Sequence, residues 1–316
     1  MAEPGGRCDV CIAFWAPSSG EERGELIMPI NYDALLSLEV PEVEHRYEHK
    51  DVLLYALGIG LGRNPTNENE LSFVYEKNLR VLPTFPTVLG RPDFWIRDLP
   101  TGIDFTTVVH GEEGVVLHRQ LEPRGHIVAR TRITDVVDKG PGKGALVYTE
   151  RSIVDKATGA LCASVTETAF CRSEGGFGGP QRAKNMSQAM PEREPDHVCD
   201  FPTRPEAAII YRLSGDLNPL HVEPAVARTA GYERPILHGL ATFGVCGLAL
   251  LRTHCSYDPA RLASIAGRFT APVFPGETIR TEMWKDELGV TFRARVLERG
   301  VLVINNGRAT IAFQSA

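Results

Sequence analysis

The segment Asp216-Leu-Asn-Pro-Leu-His221 brings a carboxylate, an amide and an imidazole onto six consecutive residues. Pro219 stiffens the segment, and an aspartate and a histidine on one rigid loop could grip a single water molecule from two sides. One of them would remove a proton from the water, and the resulting acid would return a proton to the substrate. Asn218 would anchor the loop or the water. The spacing therefore indicates general acid–base chemistry.

Two other interpretations use the same residues. Ser-Gly-Asp-x-Asn-Pro is also an Asx-rich turn, in which Asp216 would only cap the local backbone. The spacing of Asp216, Asn218 and His221 would also suit a metal, but a third strong ligand is not evident in the sequence. We expect no metal.

Gly239 follows Pro235-Ile-Leu-His238 and opens a mostly apolar stretch, for which we predict a buried helix over residues 239–254. The first N–H groups of a helix lack acceptors within it, and the positive helix end favours a developing negative charge. Because Gly239 has no side chain to obstruct a ligand, its N–H is a candidate oxyanion donor. His238 is either a second base or a core residue beside this helix.

The elements that must position these groups can be read from the surrounding pattern. Thr203-Arg-Pro-Glu206 fits a capping box and predicts a helix over residues 204–213 that stops at Gly215. A second short helix is predicted over residues 221–231. Alternating apolar residues then predict antiparallel strands, so that a curved sheet wraps the long helix. These strands are predicted at residues 263–270, 277–285, 290–297 and 301–313.

The first half repeats this theme. Residues 51–60 resemble residues 207–216, but Gly58-Ile-Gly60 stands where the second half has Ser-Gly-Asp, and no Asp-Asn-His loop follows. We therefore expect the first half to be catalytically silent. Its strands are predicted at residues 106–109, 114–121, 126–137, 145–155 and 160–171.

The sequence divides into four parts. Residues 1–30 are predicted to be a disordered extension, and residues 172–202, rich in glycine, proline and charge, to be a linker. The linker separates a first repeat, residues 31–171, from a second repeat with the chemical motif, residues 203–316. At 316 residues, two repeats that share a large core are the expected organisation.

The composition excludes several classes of protein. A net charge of −6 argues against a nucleic-acid partner, because phosphate backbones require clustered lysine and arginine. No run approaches eighteen apolar residues, so we expect no membrane span. The seven cysteines are odd in number and widely spaced, which predicts free thiols. Cys8 and Cys11 form a lone C-x-x-C without a second pair to complete a zinc site.

Taken together, the motifs resemble a known family. Tyr211-Arg-Leu-Ser-Gly-Asp-Leu-Asn-Pro-Leu-His221 with Pro235-Ile-Leu-His-Gly239 closely resembles the motif of the (R)-specific 2-enoyl-CoA hydratases, the MaoC-like branch of the hot-dog fold, and especially the hydratase unit of peroxisomal multifunctional enzymes. The resemblance extends over roughly residues 40–312. It implies an α+β double hot-dog fold in which each half has a central helix wrapped by an antiparallel sheet. Further matching motifs are Tyr-Ala-Leu-Gly58, Tyr75-Glu76, Leu82-Pro-Thr-Phe85, His110-Gly-Glu112, Asp138-Lys-Gly140 and Arg268-Phe269.

The resemblance also implies an activity and a site. It implies reversible hydration of trans-2-enoyl-CoA to (3R)-3-hydroxyacyl-CoA, with Asp216, His221, Asn218 and Gly239 as catalytic residues and an acyl-chain pocket in the first half. Alone, Glu76 would be a solvated surface charge and Lys139 a solvated turn residue. The substrate-contacting or supporting positions that it implies are His110, Gly111, Lys139, Leu217, Pro219, Leu220, Phe269, Tyr55 and Glu76.

The same resemblance sets the expected partners. Fatty enoyl-CoA thioesters are the expected ligands, CoA being part of the substrate, and no separate cofactor is expected. A homodimer is expected, and so is a free-standing hydratase, because no dinucleotide-binding glycine loop is found. The resemblance points to the peroxisome, although Phe313-Gln-Ser-Ala316 is not a Ser-Lys-Leu signal, which leaves cytoplasm or mitochondrion as alternatives. The rival functions are an acyl-CoA thioesterase and a non-catalytic acyl-CoA-binding module.

Overall fold

A computed structural model describes residues 30–92, 94–181, 189–287 and 289–312. Residues 1–29 of the predicted extension and residues 182–188 of the predicted linker lie outside this description. Among the described residues, no helix combines the length and the apolar character needed to cross a bilayer.

Ten antiparallel strands form one continuous sheet, as expected for two joined hot-dog halves. The order across the sheet is β1-β3-β4-β5-β2-β7-β10-β9-β8-β6, so the halves meet where β2 pairs with β7. The strands are β1 Val43–Tyr47, β2 Val108–Leu117, β3 Gly125–Asp138, β4 Ala145–Asp155, β5 Leu161–Cys171, β6 His197–Pro202, β7 Leu262–Phe269, β8 Thr278–Asp286, β9 Gly289–Val296 and β10 Val301–Ile311.

The helices lie between the strands in sequence. The described residues form the α-helices α1 Tyr32–Leu36, α2 His49–Gly58, α3 Glu68–Leu71, α4 Trp95–Asp98, α5 Ala207–Tyr211, α6 Pro224–Thr229 and α7 Gly239–His254. Short 3₁₀ turns occur at Phe85–Val88, Phe105–Thr107, Arg212–Ser214, Pro219–His221 and Pro259–Arg261.

The long helix α7 has the predicted bounds and is buried on all sides, with every residue from Leu240 to Leu251 inside the core. Its apolar circumference explains this, because a helix without a polar face must be covered all round. Its glycines permit close packing against the first half. A Cβ at Gly244 would lie 2.7 Å from Ile59 Cγ2, and one at Gly247 would lie 2.5 Å from Thr84 Cγ2. The main hydrophobic core thus extends across both halves.

The first half has a shorter buried helix. Helix α2 buries Val52, Tyr55 and Ala56 and packs against α5 of the second half, where a Cβ at Gly58 would lie 3.1 Å from the Cα of Tyr211. The chain then continues into the 3₁₀ turn Phe85–Val88 rather than into a second long helix. The two halves therefore share a sheet topology but fill their concave faces differently.

The prediction that residues 172–202 form a linker is wrong at the C-terminal end of this segment, which is a strand. Strand β6 lies within residues 172–202 and pairs with β8 at the sheet edge, where Asp200 and Arg280 form an ion pair of 2.7 Å. Pro202 is tolerated because it ends an edge strand. The glycine-rich residues before it obscured a strand whose ion-pair partner lies 80 residues later in the chain.

The predicted capping box is also wrong. The hydroxyl of Thr203 donates to the carbonyl of Glu277 (2.8 Å) and accepts the N–H of Gly276 (2.9 Å), so it ties the loop before β8 instead of capping a helix. The predicted helix at residues 204–213 is consequently the shorter α5 followed by a 3₁₀ turn. Similarly, the helix predicted at residues 221–231 is confined to α6, which starts at Pro224.

Two more differences concern strands. Residues 108–109 and 114–117 of the segments predicted at 106–109 and 114–121 belong to one strand, β2, with an irregularity in its pairing between His110 and Glu112. Residues 106–107 instead belong to the 3₁₀ turn Phe105–Thr107. Gly111 and Gly114 resembled a break in the sequence, whereas glycine within a strand often marks a bulge. Strand β1 was not predicted; it pairs with β3 as the other edge of the sheet.

Candidate active site

The loop after α5 is shaped by its own side chains. Gly215 adopts a left-handed φ of +110° that ends the 3₁₀ turn. Asp216 Oδ1 then accepts the N–H of Asn218 (3.2 Å), and Asn218 Oδ1 accepts the N–H of Leu220 (3.0 Å). Asp216 and Asn218 therefore do form Asx-type turns, and within the loop that these turns shape a carboxylate oxygen of Asp216 lies within 4.8 Å of a ring nitrogen of His221.

His221 is held in one orientation. Its Nδ1 donates to the carbonyl of Ile236 (2.8 Å), because a carbonyl can only accept, and this leaves Nε2 of the neutral ring as an acceptor. The ring of His238 stacks on it with centroids 3.6 Å apart, and His238 Nε2 donates to the carbonyl of Asp216 (3.2 Å). His238 thus packs between His221 and Tyr211 and fixes the start of the catalytic loop.

The charge states of the loop follow from its surroundings. Burial would raise the pKa of Asp216, but His238, His221 and Arg91, with the Asn218 N–H, together lower it. Burial lowers the pKa of His221 below its ordinary value, although Asp216 and the Ile236 carbonyl oppose this. Burial and the neighbouring His221 lower the pKa of His238 to about 3. At neutral pH the site therefore holds a carboxylate and two neutral imidazoles.

The two predicted bases lie close enough for one water molecule to bridge them. One carboxylate oxygen of Asp216 and one ring nitrogen each of His221 and His238 lie within 4.8 Å of one another. One water can bridge acceptors at this separation with two ordinary hydrogen bonds. The arrangement can therefore bind a water and accept a proton from it.

The start of α7 directly follows His238, which stacks on His221. His238 is its N-cap and provides no side-chain hydrogen bond to the helix. Its carbonyl accepts the N–H groups of Ala241 (3.1 Å) and Thr242 (3.2 Å), which leaves those of Gly239 and Leu240 available to a ligand or water. A Cβ at Gly239 would lie 3.3 Å from the ring of Phe269, which leaves little room for any side chain there. The Phe269 ring in turn contacts His110, with centroids 4.7 Å apart. The structure thus brings Gly239, Phe269 and His110 together.

His110 lies on β2 and is anchored by acidic partners. Its Nε2 is 3.0 Å from Glu113 Oε2 and 3.1 Å from the carbonyl of Glu112. Burial opposes its protonation, but Glu167 and Glu113 outweigh burial and raise its pKa. The adjacent Gly111 is needed for packing, because a Cβ there would lie 3.0 Å from the carbonyl oxygen of Thr168.

The other predicted positions lie at different distances from the loop. Tyr55 is fully buried, and its ring centroid lies 5.9 Å from that of Tyr211, which contacts His238. Leu217 is 61% exposed at the rim of the loop, and Pro219 and Leu220 are half-buried. These four positions belong to the Asp216–His221 loop or to the residues packed behind it.

Lys139 and Glu76 do not contact the Asp216–His221 loop among the described residues. Lys139 is exposed in the turn between β3 and β4, with its Nζ 4.5 Å from the ring centroid of Phe170. Glu76 is exposed after α3, and within the described part of the chain none of its contacts joins it to Asp216 or His221. Their roles in substrate binding stay predictions.

Charged residues of the first half were missed by the sequence analysis. A group of charged side chains surrounds His110. One ring nitrogen of His110 and one carboxylate oxygen each of Glu113 and Glu167 lie within 4.8 Å of one another, and Arg91 pairs with Glu167. Alternation in β2 could have shown that Glu113 points inwards. No local pattern indicates Arg91, since it follows a turn.

These two groups of three side chains are also where the described residues could hold a cation. In the first group, His221 and His238 each already use one ring nitrogen to donate to a backbone carbonyl. In the second group, His110 already pairs with Glu113. The side chains of each group thus make contacts within the protein that need no metal. That the reaction is independent of metal stays a prediction.

The fold and the site define a class, the MaoC-like dehydratases with a double hot-dog fold. Residues 186–307 match the family described as MaoC like domain, and residues 45–173 match the MFE-2 hydratase 2 N-terminal domain. The chain belongs to the enoyl-CoA hydratase 2 family. It is 36% identical to the peroxisomal enoyl-CoA hydratase 2 of Arabidopsis thaliana, over 87% of this chain and 93% of that protein.

Other relatives extend the comparison. The 3-hydroxyacyl-thioester dehydratase Y of Mycobacterium tuberculosis is 40% identical, over 78% of this chain and 85% of that protein. A solved MaoC-like dehydratase from Phytophthora capsici superimposes with a TM-score of 0.79 at 34% identity and covers 91% of this chain and all of its own. The full-length peroxisomal multifunctional enzyme type 2 of Drosophila melanogaster gives 0.73 at 32% identity, over 86% of this chain and 48% of the fly protein.

Proposed function

We propose that this protein reversibly adds water to the double bond of trans-2-enoyl-CoA thioesters in fatty acid metabolism, giving (3R)-3-hydroxyacyl-CoA. One observation carries the proposal: a carboxylate oxygen of Asp216 and a ring nitrogen of His221 lie within 4.8 Å of each other, next to His238, the N-cap of α7. The relatives named enoyl-CoA hydratase 2 support it.

The two bases share the proton transfers. The water oxygen attacks C3 of the enoyl group while Asp216 or His221 takes one of its protons, and the pair then returns a proton to C2. Both parts of the water reach the substrate from the loop, so hydrogen and hydroxyl add to the same face. The anchored Nδ1–H of His221 keeps Nε2 directed at the water.

The negative charge that develops on the thioester oxygen needs a donor. The Gly239 N–H and the positive end of the sixteen-residue helix α7 supply one at a fixed position. Phe269 and His110 lie beside Gly239 and, in this proposal, line the path of the CoA thioester. Tyr55 supports the loop through Tyr211 and His238.

The test is incubation with trans-2-decenoyl-CoA and with crotonyl-CoA, followed by chiral analysis of the product. We expect the (3R)-hydroxyacyl-CoA from both, and loss of the reaction in Asp216→Asn. Release of free CoA thiol would instead indicate a thioesterase, and binding without turnover a non-catalytic module. Activity that persists after dialysis against a chelator would support a reaction without metal or further cofactor.

Assembly and compartment are part of the proposal. We propose a homodimer, which the molar mass from light scattering would test. We also propose a peroxisomal location, supported by the printed names of the Arabidopsis, mouse and fly relatives, although other relatives come from a bacterium. Imaging of the full chain in its own cells would distinguish peroxisome from cytoplasm or mitochondrion.

A further inference from the structure

Charged side chains lie on the inner face of the sheet in the first half. Glu113 on β2 lies directly opposite Glu167 on β5. Arg151 on β4 lies opposite Val165, two residues before Glu167, so all of them share one face of the sheet. Val165 belongs to the main hydrophobic core, which identifies this face as the inner one. With two further side chains that contact these acids, they form the first-half ionic cluster, which consists of Arg91, His110, Glu113, Arg151 and Glu167.

Three members of the first-half ionic cluster line a common recess. Arg91 Nη2 lies 3.5 Å from Glu167 Oε2, and His110 Nε2 lies 3.0 Å from Glu113 Oε2. One carboxylate oxygen of Glu167 also lies within 4.8 Å of a ring nitrogen of His110. Protein surrounds Arg91, Glu167 and His110, yet their side chains keep 30%, 24% and 23% of their surface accessible. Because the three side chains are neighbours, these accessible surfaces belong to one opening.

The first-half ionic cluster has buried polar atoms without partners. Arg91 Nη1, Glu113 Oε1 and Arg151 Nε form no hydrogen bond among the described residues. Arg151 is 4% exposed, and its Nη2 donates to the carbonyl of Thr87 (3.0 Å). The contact of 3.5 Å between Arg91 and Glu167 is longer than a charge-assisted hydrogen bond of about 2.8 Å. Buried polar groups of folded proteins almost always have a partner, which indicates that a polar group from outside the chain completes the cluster.

Two aromatic rings join the first-half ionic cluster to the proposed oxyanion donor. The ring of His110 contacts that of Phe269, with centroids 4.7 Å apart. A Cβ at Gly239 would lie 3.3 Å from the Phe269 ring. The recess and the start of α7 are thus the two ends of one short series of contacts. An acyl group held at the Gly239 N–H is therefore within reach of the recess.

The chemistry of the recess favours a hydroxyl group. A hydroxyl can accept a hydrogen bond from Arg91 and donate one to Glu167 at the same time. Glu113 and Glu167 would repel a carboxylate, and the guanidinium groups of Arg91 and Arg151 would repel a metal ion. A purely aliphatic chain would remove water from these charged groups without replacing its hydrogen bonds.

We propose that the first-half ionic cluster is a substrate subsite, which binds a hydroxyl group carried by the acyl chain of the enoyl-CoA. Arg91 donates to this hydroxyl, and Glu167 accepts from it. The inference rests on the proposed function, because it assigns the class of acyl group that the same site selects. The first half then determines which acyl chain is hydrated, while the Asp216–His221 loop of the second half supplies the bases.

The experiment measures binding by titration calorimetry with saturated acyl-CoA thioesters, which have no double bond to hydrate. Unsubstituted chains of six, eight, ten and twelve carbons are compared with their ω-hydroxy and ω-carboxy forms. At one of these lengths we expect the wild type to bind the ω-hydroxy form about tenfold more tightly than the unsubstituted form, as for one hydrogen bond to a charged group. The corresponding trans-2-enoyl-CoA thioesters should show the same preference in kcat/KM.

Three variants test which residues carry this preference. Arg91→Met removes the donor but keeps a long side chain, and should abolish the preference for the ω-hydroxy form. Arg130→Met is the matched control, because Arg130 lies on β3 and pairs with the exposed Glu42, so the preference should remain. The double variant Arg91→Met/Glu167→Leu replaces both charges by apolar groups and leaves neither unpaired. It should also lose the preference, and it decides the question if Arg91→Met alone does not fold, which thermal melting establishes.

The outcomes separate the two proposals. If the wild type does not hydrate trans-2-decenoyl-CoA, the proposed function fails, whereas the titrations still test the subsite. Equal affinity for ω-hydroxy and unsubstituted chains at every length would show that water alone fills the recess, and would overturn the subsite. Tighter binding of the ω-carboxy form would overturn the assignment to a hydroxyl. A preference that persists in the folded double variant would show that the hydroxyl binds elsewhere.

Discussion

The two halves of the chain begin in the same way and then diverge. Helices α2 and α5 pack side by side, and each is followed within a few residues by a left-handed glycine, Gly60 with φ +103° and Gly215 with φ +110°. In the second half the chain then forms the loop of Asp216 and His221 and enters α7. In the first half it continues to the 3₁₀ turn Phe85–Val88 and to Arg91, whose Nη2 lies 3.5 Å from Glu167 Oε2. The comparison teaches that the same strand arrangement can carry either an Asp–His loop followed by a long helix or a short 3₁₀ turn in its place.

The sharpest way to break this comparison is to remove the bases of the second half. We expect Asp216→Asn and His221→Ala each to lower kcat by about two to four orders of magnitude with little change in melting temperature. Because both act on one water, the double variant should be little worse than the worse single variant. Steady-state kinetics decide this, and near-normal turnover in either folded variant would remove that residue from the mechanism.

Gly239→Ala probes the helix start that only the second half has. The new Cβ would lie 3.3 Å from the Phe269 ring and would displace either the ring or the thioester. We expect kcat to fall about tenfold, less than for complete loss of an oxyanion donor. Alanine is the better helix former, so the helix itself should not be weakened. An unchanged kcat would show that the thioester does not need to approach this N–H closely.

Phe85→Trp tests whether the first half accommodates the acyl tail. Phe85 is buried, with its ring centroid 5.4 Å from those of both Tyr47 and Tyr55. A larger ring should lower kcat/KM for decenoyl-CoA several-fold more than for crotonyl-CoA, because only the long tail needs that space. Overpacking could cost about 1–3 kcal/mol of stability, so melting is measured first. Equal losses for both substrates would make the first half a scaffold only.

The smallest expected effect concerns His254 at the end of α7. Burial, with His197 and Lys285, lowers its pKa to about 4, so in the folded protein it stays neutral while the unfolded chain binds a proton below its ordinary value of 6.5. The stability contributed by keeping it neutral is therefore lost as the pH falls from 6.5 towards 4. We expect the melting temperature of His254→Asn to fall less over this interval than that of the wild type. Parallel curves for the two proteins would contradict the linkage.

What could be predicted from the sequence was local. Two features depend on residues that are close in sequence: the loop of Asp216 and His221, and the helix that begins at Gly239. Their positions and bounds could therefore be predicted. The edge strand β6 and the hydroxyl of Thr203 depend on partners in and before β8, more than seventy residues later, and their predictions were wrong. Arg91 could not be predicted for the same reason, because its ion-pair partner Glu167 lies far from it in the sequence.

The junction of β2 with β7 has a consequence for assembly. Hot-dog units that pair as separate chains must find each other by diffusion, so their shared site depends on protein concentration. Here both units lie on one polypeptide, and the pairing of Glu113 with Gly267 and of Val115 with Ile265 is intramolecular. Tethering of this kind gives an effective concentration in the millimolar range. The pairing of the two halves therefore holds at any dilution, and each half can accumulate substitutions that an identical pair would have to carry twice.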